Sequence, residues 1–258
     1  MGKILEAHKN NKHKTALVTG SGRNLGKSIA LELASKGINV IVNSQTNNDQ
    51  ANLVSEEIRS HGVDSISIIG DVGNPKDVER IIEKSLSHFG KVDILINNAG
   101  LREHCEVSEI TDSQWKNVLA VNLDAPFYFT RAFVPGMKLA NWGRIINISG
   151  LNAHRGQPGW AHVSASKTGA IGLMHALSVE LSPHNILVNS IVPGAFDTSV
   201  DNTIIPKNNQ HSSRTKHIPL DRLGNPNELA KLCSFLVSDD ASYITGQTFH
   251  INGGEYRS

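Results

Sequence analysis

The chain is poor in cysteine and carries almost no net charge. Its two cysteines, Cys105 and Cys233, are too few and too far apart for a disulfide framework or a cysteine-based metal site. The net charge of +1, with no strongly basic block, gives no reason to expect nucleic acid as the main partner. The sequence therefore predicts a protein of a reducing, cytoplasmic environment, with no metal site and no nucleic-acid partner.

Long hydrophobic runs are also missing. No apolar stretch approaches the roughly 20 residues that cross a bilayer. The first fourteen residues are polar and basic and lack the apolar core of a secretory signal. A myristoylation pattern fails as well, because the position that needs Ser or Thr holds Glu6. We expect no membrane partner, and we expect residues 1–13 to form a flexible tail.

What the chain does have is a regular alternation of two kinds of apolar segment. Short, almost continuously apolar runs are typical of parallel strands that are covered on both faces, and they lie at 15–20, 38–43, 65–70, 93–98, 144–149, 186–192 and 247–251. The segments between them predict helices at about 25–36, 49–61, 75–89, 112–138, 162–182 and 226–238.

This alternation predicts an α/β fold. We expect a single domain over 14–258, built as a Rossmann-type doubly wound parallel sheet of about seven strands with helices on both faces. The long polar stretch at about 199–217 is predicted to be a lid, because an ordered helix and strand follow it.

A glycine-rich loop joins the first predicted strand to the first predicted helix. Glycines at such a position let the backbone turn sharply and approach a pyrophosphate, which is held by the free N–H groups of the helix N-terminus. The position of this loop directly after a strand indicates a dinucleotide site. The predicted contacts are Gly20, Ser21, Gly22, Arg23, Asn24, Leu25 and Gly26.

The end of the second strand indicates which dinucleotide binds. An NAD-selective site usually carries an acidic residue there, which bonds to the ribose 2′-hydroxyl. Here the strand ends in Asn43 and Ser44, with no carboxylate to repel a 2′-phosphate. Arg23 lies in the preceding loop and is available to pair with that phosphate, and a solvated surface arginine is the less favoured alternative. The pattern favours NADP(H) as the cofactor.

Further short motifs follow the later strands. They read Gly70-Asp71-Val72, Asn97-Asn98-Ala99-Gly100, Pro193-Gly194 with Thr198 four residues on, Tyr243-Ile244-Thr245-Gly246 and Gly253-Gly254. Together with the glycine-rich loop they resemble the short-chain dehydrogenase/reductase family, and in particular members similar to the 3-oxoacyl-(acyl carrier protein) reductases. The likeness runs from about Lys14 to Gly254, with Asn24 standing where the family has a glycine.

The resemblance carries expectations for the cofactor and for assembly. It implies cofactor contacts at Asp71, Val72, Asn98, Ala99, Gly100, Pro193, Gly194 and Thr198, in addition to the glycine-rich loop. It also implies a homo-oligomer, with a tetramer expected, formed through the predicted helices at 112–138 and 162–182.

The likeness breaks down at the positions that transfer protons in the family. The family has a tyrosine four residues before a lysine. Here the lysine is Lys167, and the tyrosine position holds Val163. The family serine, thirteen residues before the tyrosine, falls on Gly150, and a one-residue slip turns the neighbouring Ser149 to the opposite face of its strand. Asn122 and Lys167 remain. The family implies a proton-relay role for the asparagine and a hold on the cofactor ribose for the lysine.

Histidines are candidates for the missing proton donor, because imidazole titrates near neutrality. His104 follows the N-N-A-G motif, His154 lies in the loop after the fifth strand, and His162 adjoins Val163. The first two occupy loops expected to face substrate and are ranked as catalytic candidates. A surface or packing role is the alternative for each of the three.

The predicted substrate-binding residues lie in the same loops. Arg102 and Glu103 form a charged patch that is suited to recognise a carboxylate or another polar group, or that is simply solvated. Trp160 has the spacing from Lys167 at which enoyl reductases of the family place a tyrosine, and we interpret it as a pocket wall. Asn152 completes the predicted set.

Three functions remain open on the sequence. The first is an NADP(H)-dependent oxidoreductase with a non-standard proton donor, which reduces an activated C=C or C=O bond of a small polar metabolite. The second is a non-redox lyase or isomerase on the same fold. The third is a catalytically inactive dinucleotide-binding protein. The fold alone does not choose among them.

Overall fold

A parallel sheet of seven strands, in the order β3-β2-β1-β4-β5-β6-β7, forms the centre of the computed structural model, which describes residues 13–198 and 215–257. Its strands are β1 Thr15–Val18, β2 Asn39–Ser44, β3 Ser65–Ile69, β4 Ile94–Asn97, β5 Gly143–Ile148, β6 Ile186–Pro193 and β7 Thr248–Ile251. The predicted tail at 1–13 and the predicted lid at 199–217 fall largely outside the described residues.

Seven α-helices pack on the two faces of the sheet in the described ranges. They are α1 Asn24–Ser35, α2 Asn48–Arg59, α3 Pro75–Phe89, α4 Asp112–Leu119, α5 Ala125–Ala140, α6 Ala161–Leu181 and α7 Pro226–Val237. The predicted strands and helices are confirmed to within a few residues, except that the structure divides the predicted helix at 112–138 into α4 and α5.

The strands are apolar on both sides because both faces of the sheet are covered. In β1, Ala16 and Val18 belong to the core beneath α1, α2 and α7, whereas Leu17 between them belongs to the core beneath α3, α5 and α6. All three side chains have no exposed surface. Alternate residues of one strand therefore belong to two cores, which explains why three of the four residues of β1 are apolar.

The break between α4 and α5 is a π-helical turn, Ala120–Asp124. Helix α4 begins with a capping box. The Thr111 side chain accepts a hydrogen bond from the Gln114 backbone N–H, and the Gln114 side chain accepts one from the Thr111 backbone N–H. The π turn widens the helix by one residue and places Asn122, which is buried, against the loop that follows β4.

The strand order reverses between β1 and β4, which lie side by side although β2 and β3 separate them in the chain. The loops after β1 and β4 therefore leave the same edge of the sheet in opposite directions and open a crevice. Ligands of open α/β sheets bind at such a switch point. Separately, none of the helices in residues 13–198 and 215–257 is long and apolar enough to cross a membrane.

Candidate active site

A cleft of about 1000 Å³ lies at this crevice. All of the predicted cofactor-binding residues line it except Ser21, Lys167, Pro193 and Gly194. Pro193 ends β6, and the Gly194 N–H donates to the Ile251 carbonyl of β7 at 2.9 Å. The residue types and motifs predicted for a dinucleotide thus come together mainly on one continuous surface.

The glycine-rich loop has the geometry that a pyrophosphate site requires. A Cβ on Gly26 would lie 2.4 Å from the Gly20 carbonyl oxygen, so the loop folds back onto the first turn of α1 and leaves no room for a side chain. Asn24, at the position where the family has glycine, adopts a left-handed backbone with φ of 52°. Asn tolerates this region better than most residues. The residues present therefore fit a dinucleotide phosphate.

The N-N-A-G motif fixes this loop from the side of β4. The Asn98 side chain donates to the carbonyl oxygens of Thr19 at 2.8 Å and Gly20 at 3.1 Å. In return, the Thr19 hydroxyl accepts from the backbone N–H groups of Asn98 and Ala99, both at 3.0 Å. These reciprocal bonds hold the two loops on either side of the crevice at a fixed separation.

Two predicted cofactor residues use their side chains to build the loop. The Asn43 side chain is buried, accepts from the Gly20 N–H at 3.1 Å and donates to the carbonyls of Ile68 and Gly70. The Ser21 hydroxyl is also buried and donates to the Val18 carbonyl at 2.7 Å. Their recorded bonds hold the loop in place, and the surface they offer to a ligand is mainly backbone.

The end of β2 carries no negative charge facing the loop. Ser44 packs against Gly22, where an added Cβ would lie 3.2 Å from the serine hydroxyl. Gln45 donates to Asp71 at 2.9 Å and so turns toward β3. Arg23 is exposed, and within the described part of the chain it forms no ion pair, whereas the nearby Lys27 pairs with Glu57 at 3.1 Å. Arg23 is the cation that remains available at this end of the cleft.

Lys167 lies at the other end, beyond the N-N-A-G loop. Its ammonium donates to the Ile148 carbonyl at 2.9 Å and approaches Gly100, where an added Cβ would lie 3.4 Å from Nζ. The side chain is buried. Burial, and to a smaller extent the positive charge of Arg102, lower the pKa of Lys167 to about 8. The ammonium therefore gives up a proton more readily than an ordinary lysine.

Asn122 connects this lysine region to the loop after β4. Its side chain accepts from the Leu101 N–H at 2.9 Å and donates to the Leu101 carbonyl at 3.0 Å. It also donates to the Ser166 hydroxyl of α6 at 3.0 Å. The predicted catalytic residues Asn122 and Lys167 are thus brought to the same loop. A Cβ built on Gly100 would lie 3.5 Å from the Asn122 side-chain oxygen and 3.4 Å from the Lys167 nitrogen.

Val163 and Gly150, which we predict to stand at the family's tyrosine and serine positions, differ in their surroundings. Val163 is buried on α6, one turn before Lys167. Gly150 is extended, and a Cβ built on it would meet no atom within 4 Å. The Ser149 hydroxyl, by contrast, is buried and has no hydrogen-bond partner in the described residues. Open space therefore lies at the glycine, as the strand alternation predicts.

Arg102, which lines the cleft, forms a second group with His104 and Trp160, which are not among the lining residues. The guanidinium lies 5.7 Å from the centre of the Trp160 ring, and the His104 ring meets that indole edge-on at 5.9 Å. The Glu103 carboxylate accepts from the Gln114 side chain at 2.8 Å. Three of the four predicted substrate residues are therefore near one another, together with one histidine candidate.

His154 lies elsewhere. Its ring packs edge-on against His250 of β7, with ring centres 4.5 Å apart, and against Tyr256 at 5.7 Å. Burial lowers the pKa of His154. Burial also lowers the pKa of His250, as does the charge of its neighbour. Asn152 lies in the short 3-10 turn before His154. The recorded contacts of His154 are with the C-terminal segment and not with Lys167.

His162 is completely buried on α6, and neither of its ring nitrogens has a partner within residues 13–198 and 215–257. Over the same ranges, no cluster of three or more His, Cys, Asp or Glu side chains is arranged to hold a metal ion.

The sequence analysis missed part of the cleft wall. Gln45, Thr46 and Gln50 line it beyond β2, and Asn117 and Val121 line it from the helix that precedes Asn122. The last two are four residues apart and therefore share a helix face. This four-residue spacing was the feature of the sequence that could have identified both residues as part of the cleft wall.

Comparison with known proteins gives consistent results. Residues 20–255 match a family model described as enoyl-(acyl carrier protein) reductase. The 3-oxoacyl-(acyl-carrier-protein) reductase of Staphylococcus epidermidis is 38% identical over 244 residues, which cover 95% of this chain and 99% of the relative. The corresponding reductase of Pseudomonas aeruginosa is 36% identical over 95% of this chain and 98% of its own. The crystal structure of acetoin dehydrogenase from Enterobacter cloacae superimposes with a TM-score of 0.88 at 32% identity, covering 95% of this chain and 96% of that one.

Proposed function

The chain belongs to the short-chain dehydrogenase/reductase family, and we propose that it is an NADP(H)-dependent reductase that works without the family's tyrosine. The observation that carries this proposal is the dinucleotide cleft, whose loop geometry is intact and which lies beside a buried Lys167. Gly150 and Val163 stand at the positions where the resemblance to the family predicts a serine and a tyrosine, and neither carries a hydroxyl group.

The nicotinamide cofactor, when bound, supplies the hydride. The protein's residues hold the cofactor and orient it toward the substrate. The first turn of α1 offers free backbone N–H groups to the pyrophosphate. Arg23 is placed to pair with a 2′-phosphate, and no carboxylate at the end of β2 opposes it. Lys167 is placed to hold the ribose, while its own position is fixed by the Ile148 carbonyl.

The proton that accompanies hydride transfer then comes from water or from a histidine. His104 is exposed beside Trp160, whereas His154 packs on His250. We therefore favour His104 between the two candidates. An activated C=C bond suits such a site, because the negative charge spreads into the substrate and protonation follows later. We propose a small polar metabolite with an activated C=C or C=O bond as the substrate.

The test is to incubate the protein with NADPH and, in parallel, with NADH, against panels of ketones and of enones. Loss of nicotinamide absorbance and identification of the products are the two readouts. We expect substrate-dependent oxidation that is faster with NADPH. If NADPH binds and no compound is reduced, the proposal is wrong.

One observation favours a second function, that of a dinucleotide-binding protein without turnover. Both hydroxyl-bearing positions of the family site are replaced, and no side chain among those described occupies the space next to Gly150. This candidate predicts tight NADP(H) binding with no product from any substrate in the same assay.

We further propose that the chain acts in the cytoplasm as a homo-oligomer, with a tetramer expected. Support for assembly comes from large apolar side chains that are exposed on the helices predicted to associate. Trp115 on α4 and Phe127 on α5 are each 41% exposed, and Val179 on α6 is 76% exposed. Light scattering at micromolar concentration tests this, and a monomer would contradict it.

A further inference from the structure

Arg102 is an exposed cation that lies against an aromatic ring. Its side chain is exposed, lines the cleft, and forms no ion pair with any residue that the structure describes. The guanidinium lies 5.7 Å from the centre of the Trp160 ring, within reach of a cation–π contact. Stacking of this kind restrains the guanidinium plane and leaves its N–H donors free at the edge.

The indole beneath Arg102 is itself held by two loops. The Cys105 N–H donates to the Gly159 carbonyl at 2.9 Å, which ties the loop after β4 to the segment before α6. The His104 ring packs so closely on Gly159 that an added Cβ would lie 2.2 Å from its Nε2. The same ring meets Trp160 edge-on. Arg102 therefore stacks on a supported surface and not on a loose side chain.

The electrostatic surroundings of Arg102 are positive. The carboxylate next to it in sequence, Glu103, accepts from Gln114 of α4 and is occupied there. The positive charge of Arg102 also lowers the pKa of the buried Lys167, so the two cations lie close enough to repel each other. Two cations with no paired acid among residues 13–198 and 215–257 attract an anion to the space between them.

We infer that Arg102, stacked on Trp160, is the receptor for a carboxylate of the substrate, which makes the substrate an oxo acid or an unsaturated acid. This inference rests on the proposed function and narrows its substrate class. The guanidinium fork matches the two oxygens of a carboxylate. A carboxylate-bearing substrate would differ from the substrates in the relatives' names, because neither a 3-oxoacyl group bound to a carrier protein nor acetoin presents a carboxylate.

The test compares two matched pairs of probes, crotonate with crotonamide and benzoate with benzamide. Each is titrated by calorimetry into the protein with and without saturating NADP⁺. We expect each acid to bind about tenfold or more tightly than its amide, because hydrogen bonds between charged partners are the stronger ones. Arg102→Gln should bring the ratio close to one. Arg131→Gln is the matched control and should keep the preference, because Arg131 is an exposed arginine that lies 5.2 Å from the centre of the Phe127 ring and does not line the cleft.

Three results would contradict the assignment of Arg102 as a carboxylate receptor. If neither acid binds more tightly than its amide, or if Arg102→Gln keeps the preference, the inference is wrong. If Arg102→Gln weakens NADP⁺ as much as it weakens the acids, the arginine serves the cofactor and the inference is wrong. Failure of the proposed function looks different, because the wild type would then reduce no ketone or enone with NADPH while the acids still bound more tightly than their amides.

Discussion

Restoring both hydroxyl groups through Gly150→Ser and Val163→Tyr separates a working reductase from a protein that only binds a dinucleotide. The serine enters without strain, because position 150 is extended and a Cβ there meets no atom within 4 Å. The tyrosine would stand one helical turn before Lys167, whose pKa of about 8 keeps a positive charge beside the phenol at neutral pH. That charge favours the phenolate and so lowers the pKa of the new group.

The size of the effect follows from the value of a positioned acid. Such a group accelerates a reaction by about 100- to 10,000-fold, which corresponds to about 3 to 5 kcal/mol of barrier. For a ketone, whose oxygen must be protonated, we expect the double variant to gain within this range. For an enone we expect no gain, or a loss, because the new ring fills space that the substrate uses in the wild type.

The assay measures initial rates of NADPH oxidation for wild type and variants on the same ketone and enone panel. Gly150→Ser combined with Val163→Phe is the matched control, since it adds the ring without the hydroxyl and should show no gain on ketones. Turnover by the double variant alone, with a wild type that reduces nothing, would refute the reductase and support the inactive dinucleotide-binding protein. A gain in the phenylalanine control would show that packing, and not the acid, caused the effect.

Three further predictions follow from single contacts. Arg23→Ala should cost about 1.5–3 kcal/mol of NADP⁺ binding and leave NAD⁺ binding unchanged. Calorimetry checks this, and equal wild-type affinities for the two cofactors would contradict it. His162→Leu should raise the free energy of unfolding by about 1–3 kcal/mol, because both ring nitrogens are buried without a partner among the described residues. The exposed His175→Leu on the same helix should change it by less than about 0.5 kcal/mol, and a destabilised His162→Leu protein would show that the ring has an essential contact. Because burial lowers the pKa values of His154 and His250, stability should fall as the pH drops below about 6.5, where the unfolded chain takes up protons that the folded one resists. Melting temperatures at pH 7.5 and 5.5 should therefore differ less for His154→Leu than for wild type or the exposed control His61→Leu, and equal differences would count against this reasoning.

The sequence was sufficient for the fold because hydrophobic burial is periodic. A strand such as β1, which is covered on both faces, is almost continuously apolar, and that pattern can be read from the sequence alone. The division of α4 from α5 was not visible in the periodicity. It depends on bonds from Asn122 to the backbone of Leu101, which is distant in sequence, and local propensity carries no information about such a partner.

The site was predictable where a motif acts through its backbone and less so where side chains choose partners. The positive φ of Asn24 agrees with the expectation that asparagine accepts a glycine position. The histidines could not be ranked from their positions in the chain. His104 and His154 both follow strands at the carboxyl edge of the sheet, yet one meets Trp160 and the other meets His250 of a strand almost a hundred residues later. Tertiary packing decides between them.

Retention of Asn122 and Lys167 has a structural explanation that is independent of proton transfer. The asparagine holds the π turn to the loop after β4, and the lysine donates to the last residue of β5. Either residue would be kept by a protein that had lost turnover, because its removal leaves buried groups unpaired. Arg23 and Arg102 have no such structural bond among the described residues, and both are exposed cations on the cleft. An exposed arginine contributes little to folding, so substitutions of these two residues should report on ligand binding more directly than substitutions of Asn122 and Lys167.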